Sequence, residues 1–89
     1  MAVLMTADVP GQSQEGYDGM VRALGGPIRA AKGFIAHFST PAPNGWTCME
    51  LWETEDDANQ FFAKFVHPNL PDGIRPKRSF QPLHVVIQR

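Results

Sequence analysis

Apolar residues along this chain recur at two different periods, and prolines at 10, 27, 41, 43, 68, 71, 76 and 82 separate the stretches in which each period holds. Ala2 to Asp8 is short and apolar and ends at Val9-Pro10-Gly11, which predicts a strand. Ser13 then stands as a helix cap with Glu15 in the first turn. Tyr17, Met20, Val21 and Leu24 follow as one apolar stripe, which predicts a helix stopped by Gly25-Gly26-Pro27. Gly33 to Thr40, with Phe34, Ile35 and Phe38 and the alternating His37 and Ser39, predicts a second strand. Pro41-Ala42-Pro43-Asn44-Gly45 reads as its turn and Trp46 to Glu53 as the returning strand. Thr54-Glu55-Asp56-Asp57 resembles a capping box with Asp in place of Glu; Ala58, Phe61, Phe62 and Phe65 form the apolar side of the helix it opens. That helix is expected to end near His67, since a residue before proline is pushed out of the α region. Asn69 to Ser79 reads as a loop and Phe80 to Arg89 as a closing strand.

The order β-α-β-β-α-β is that of the ferredoxin-like fold, an α+β plan with an antiparallel four-stranded sheet and two helices on one face. Such a sheet needs one apolar and one wet face. Here both faces carry large apolar groups: Trp46, Cys48 and Trp52 alternate with Met49 and Leu51, and Leu83, Val85 and Ile87 with Val86. The helices account for one face. A second copy of the chain is the economical cover for the other, which predicts a homodimer through the sheet face.

Composition narrows the function classes. The chain has 89 residues, enough for a single domain over 1–89, with a formal net charge of −1. Neither the charge nor any basic-aromatic strand motif suits a nucleic-acid partner. No apolar run approaches the ~20 residues of a membrane span; with no basic n-region before Val3, the chain reads as cytoplasmic. One cysteine, Cys48, and three scattered histidines give no metal-ligand spacing, so no metal site is expected.

The segment Glu50-Leu51-Trp52-Glu53-Thr54-Glu55-Asp56-Asp57-Ala58, followed by helical aromatics and preceded by the Gly33-Phe34 strand, resembles the antibiotic biosynthesis monooxygenase family. The resemblance implies a dimeric α/β barrel, two sheets facing each other with helices outside, and a ligand cavity between each sheet and its helices. It also implies a cofactor-independent monooxygenase acting on an aromatic or polyketide-type small molecule; the alternatives on the same scaffold are a non-oxidative cyclase or isomerase and a non-catalytic dimeric binder. The haem-degrading branch is a poor match. Val3 to Asp8 holds no asparagine, Phe61 stands nearest that branch's helical tryptophan, and His67 falls several residues early.

Oxygenation without metal or flavin needs a substrate that serves as its own reductant once deprotonated. The protein then supplies an apolar pocket, donors for the anion and a base. The candidates for proton transfer are His67, His84 and Tyr17; the candidates for lining the ligand are His37, Trp46, Trp52, Phe61, Phe62 and Phe65. Each has a structural alternative: the aromatics are what any buried helix face shows, and a buried histidine needs only a partner. His37, expected on the same side as Ile35 and Ser39, and His84 fall on opposite edge strands and cannot meet within one subunit. Glu50 shares a face with Trp52 and needs a partner there, Arg22 or Arg29 or a group across the dimer interface. Gly16 and Gly19 beside Tyr17 leave room for a ligand, and Arg75-Pro76-Lys77-Arg78 is a basic cluster able to steer an anion to a cavity mouth.

Overall fold

The structure, a computed structural model, describes residues 2–89. Strand β1 (Val3–Pro10) leads to helix α1 (Gln14–Arg29), strands β2 (Phe34–Ala42) and β3 (Gly45–Trp52), helix α2 (Glu55–Phe61) and strand β4 (Lys77–Pro82). The sheet has the order β2-β3-β1-β4 with every pair antiparallel, the ferredoxin-like arrangement.

Both helices open on the caps the sequence predicts. The Ser13 hydroxyl accepts from the Gly16 N–H at 3.0 Å and the Thr54 hydroxyl from the Asp57 N–H at 3.0 Å. Their ends depart from expectation. Helix α1 runs through Gly25-Gly26-Pro27 to Arg29 and closes with the Ala30 N–H on the Gly26 carbonyl. Pro27 deletes one ladder bond, but the turn that carries it seats Ile28 against the core. The chain beyond α2 also stays helical: a wide turn over Phe62–Val66, in which the His67 N–H reaches the Phe62 carbonyl, passes into a 3₁₀ turn over His67–Asn69. His67 keeps α-helical angles before Pro68, which sits at the start of the 3₁₀ turn where its missing N–H costs nothing.

The strands differ from expectation at three places. The β2–β3 turn is only Pro43-Asn44, and Ala42 pairs with Gly45. A side chain at Gly45 would strike the Val9 carbonyl, and the Gly11 N–H bonds the Asn44 carbonyl at 2.7 Å, so the end of β1 clamps the turn. Pro41 is tolerated within β2 because β2 is an edge. A bulge between Phe34 and Ala36 shifts the phase of β2, so that His37 shares its face with Phe34 and not with Ile35. The closing strand starts earlier than expected, at Lys77, and ends at Pro82 where β1 has no further residue to pair; one more bond joins the Leu83 N–H to the Ala2 carbonyl. His84 to Arg89 therefore lie outside the sheet.

The face of the sheet toward the helices carries Met5, Ala7 and Val9 of β1 and Trp52 of β3, which with Ala58 and Phe61 of α2 form the buried core. The opposite face presents Leu4, Phe38, Met49 and Leu51 by alternation, and Phe38 is 46% exposed. No helix of the described residues is long and apolar enough to cross a membrane.

Candidate functional site

Between α1 and the sheet lies a cavity of about 350 Å³. Met5, Ala7 and Cys48 floor it, and the α1 stripe of Tyr17, Met20, Val21 and Leu24 roofs it. Phe61, Phe62 and Arg78 reach it from the side of α2 and β4. No residue of α1 is buried, so its apolar stripe faces this space instead of closing onto the sheet.

A hydrogen-bonded chain crosses the β2–β3 end of the cavity. Tyr17 Oη lies 2.6 Å from His37 Nε2, His37 Nδ1 lies 2.7 Å from Glu50 Oε2, and the Trp52 indole N–H donates to Glu50 Oε1 at 2.9 Å. A carboxylate only accepts, which places the ring hydrogen on His37 Nδ1 and leaves Nε2 to accept from the Tyr17 hydroxyl. Local structure sets every link. His37 and Glu50 are directly paired across the hairpin, Glu50 and Trp52 alternate onto one face of β3, and the Tyr17 ring is stacked on Trp46 at 5.2 Å. Burial pushes the Tyr17 hydroxyl above its ordinary value, with Ser39 opposing and the charges of Glu50 and Asp18 adding to the rise, so it is a neutral donor at pH 7.

The structure gathers some sequence candidates and leaves others apart. Tyr17, His37, Phe61 and Phe62 line the cavity. Trp46 supports Tyr17 from behind, and Trp52 is fully enclosed between Phe34 and Phe61. Phe65 stacks on Phe61 at 5.0 Å, away from the cavity lining. His67 is exposed at the end of the wide turn, and His84 is exposed beyond β4; neither is among the lining residues. Glu50 pairs with His37 and not with Arg22 or Arg29. At Gly16 a side chain would meet Gln12, so that glycine serves the start of α1 and leaves no room for a ligand. Burial pushes the Cys48 thiol up to about 11, with Glu50 adding to the rise, which makes it a poor nucleophile. Among the described residues no group of three or more His, Cys, Asp or Glu side chains is placed to hold a metal ion.

Two members of the site stand outside the proton-transfer and lining candidates of the sequence. Glu50 is the hinge of the chain, and its signal is the hairpin itself: five residues back from Ala42 and five forward from Gly45 reach His37 and Glu50. Arg78 belongs to the basic cluster, but β4 carries it into the sheet opposite Ala7, facing the cavity.

No family model matches the sequence, and no curated protein matches it. Solved structures do match its fold. SnoaB, a cofactor-independent oxygenase from Streptomyces nogalater, superposes with a TM-score of 0.74 over 99% of this chain and 98% of its own, at 10% identity. A conserved protein from Methanosarcina mazei Go1 superposes with a TM-score of 0.68 over 91% of each chain, at 16% identity. The chain thus shares the fold of these two proteins, at low sequence identity.

Proposed function

We propose that this protein is a cofactor-independent monooxygenase that deprotonates a phenolic or enolisable aromatic, polyketide-type substrate in the cavity beneath α1. The observation that carries the reading is the chain from Tyr17 through His37 and Glu50 to Trp52 at one end of an otherwise apolar space. As Tyr17 takes a proton from the substrate, its own passes to His37 Nε2, and Glu50 stabilises the imidazolium. Trp52 holds the second carboxylate oxygen and so fixes the orientation of Glu50. The substrate anion gives one electron to O₂; the radical pair combines into a peroxide, which takes up a proton. Loss of water from the hydroperoxide turns a methylene into a carbonyl: CH₂ and O₂ become C=O and H₂O, with all four electrons that reduce O₂ drawn from the substrate. The fold likeness to SnoaB agrees with such chemistry.

The test is oxygen uptake with 1,8-dihydroxyanthrone. Tyr17→Phe and His37→Gln are expected to lower the catalysed rate by about 10²–10⁴-fold with the fold intact. Uptake that ignores both substitutions contradicts the reading. Substrate isomerisation or ring closure without oxygen consumption would move the same proton relay to an isomerase or cyclase.

The same proposal includes a two-fold dimer through the face that bears Leu4, Phe38, Met49 and Leu51. The support is the apolar character of that face and the 46% exposure of Phe38. Sedimentation is expected to give twice 9.9 kDa; a monomer at every concentration contradicts the dimer.

A further inference from the structure

Arg78 is a cation brought into the cavity wall without an anion. Its only side-chain hydrogen bond among the described residues runs from Nη1 to the neutral Asn59 Oδ1 at 3.1 Å, and Nε is enclosed with no acceptor. Among the described residues no carboxylate lies within ion-pair distance of Arg78, so none neutralises the guanidinium. Two rings hold it in place: its Cζ lies 4.1 Å from the centre of Phe62 and 5.2 Å from that of Phe80. Burial pulls the guanidinium below its ordinary value, with Glu50 and Glu55 opposing from a distance, yet an arginine does not give up its proton. A half-buried guanidinium whose Nε has no acceptor is stabilised by an anion that joins it.

The sheet sets where that anion lies. Arg78 pairs with Ala7, Ala7 with Cys48, and Cys48 with Ser39, so Arg78 and the His37 end stand on opposite edge strands. Three strand spacings separate those edges, roughly 14 Å between backbones. An oxyanion formed at Tyr17 therefore arises at the far end of the cavity from Arg78, and the guanidinium is matched to a second, permanent charge. A planar fork between two aromatic faces suits one planar carboxylate.

We propose that the ligand of this cavity is an aromatic carboxylic acid, its carboxylate held by Arg78 at the β4 edge and its acidic hydroxyl or methylene presented to Tyr17 at the β2 edge. This assignment rests on the reading of the Tyr17–His37–Glu50 chain as the reacting end.

Equilibrium dialysis with 4,5-dihydroxyanthraquinone-2-carboxylate and its carboxamide tests the assignment without any turnover. The protein is expected to hold the carboxylate about 10–100-fold more tightly than the amide. Arg78→Gln is expected to erase that preference, and Arg78→Lys to keep part of it. Equal affinity for the two ligands in the unsubstituted protein overturns the assignment, needs no variant to fold, and leaves the proton relay standing. A preference that survives Arg78→Gln overturns it equally. Binding of neither ligand removes an aromatic occupant from the cavity and overturns both readings. Preferential binding of the carboxylate by a protein that consumes no oxygen with any anthrone upholds the Arg78 site and contradicts the oxygenase.

Discussion

The two helices lie over one sheet, yet they treat it differently. Helix α2 closes on it: Asp57, Ala58 and Phe61 are buried, and Phe61 meets the fully enclosed Trp52. Helix α1 buries nothing completely and spans a cavity instead. It is fixed near its two ends, by Tyr17 on His37 and Trp46 and by Ile28 against the core, with Met20, Val21 and Leu24 facing the open space between. Two apolar stripes that look alike in sequence therefore do different things. One makes a core, and the other makes a container.

Substitutions at matched positions expose this difference. Phe61→Ala should cost about 3–5 kcal/mol in chemical denaturation, because the space it leaves lies against Trp52, Phe65 and the sheet. A loss below 1 kcal/mol would show that the α2 side is as open as the α1 side. Gly33→Ala should cost about 1–3 kcal/mol, since Gly33 has φ +81° and a side chain there would collide with the Asp57 carboxylate of α2. Unchanged stability would mean that α2 can lift from the sheet. Leu24→Ala should cost less than about 1 kcal/mol, because Leu24 lines the cavity and is only half-buried. A cost equal to that of Phe61→Ala would make α1 a core helix.

The smallest effect is at alkaline pH. The folded state raises the Cys48 thiol from 9.0 to about 11, so it retains its proton where the unfolded chain loses it. Its stabilising contribution is complete below pH 9 and is lost as pH rises through about 11. Partial solvent access screens the effect to about 1 kcal/mol. The raised Tyr17 hydroxyl acts in the same direction at higher pH. Cys48→Ala should flatten the lower part of that fall in urea midpoints, and an unchanged profile would show that the cavity floor is wet.

The fold was legible in the sequence because caps and periodicity are local. Ser13, Thr54 and the two stripes are enough to order the elements and to foresee a sheet apolar on both faces. The site was legible only in part. Tyr17, His37, Phe61 and Phe62 are visible as candidates, but what joins them is register. A two-residue turn where five turn-forming residues stand, and a bulge beside Ile35, decide that His37 meets Glu50. Pro and Gly preferences do not distinguish a five-residue turn from a two-residue one clamped by the end of β1. Arg78 was hidden for a related reason: the pairing of Lys77 with Asp8 and of Arg78 with Ala7 turns part of an exposed-looking basic run into a cavity wall. His67 and His84 looked as promising as His37, and no feature of the local sequence separates a histidine beyond the last strand from one within a ladder.

The most direct test of the division between container and core is oxygen uptake per mole of folded protein, measured with 1,8-dihydroxyanthrone for Tyr17→Phe beside Phe65→Leu. Tyr17→Phe is predicted to lose turnover by about 10²-fold or more with the fold intact, and Phe65→Leu to lose melting temperature while keeping turnover within a few-fold. Full turnover in Tyr17→Phe would contradict the account.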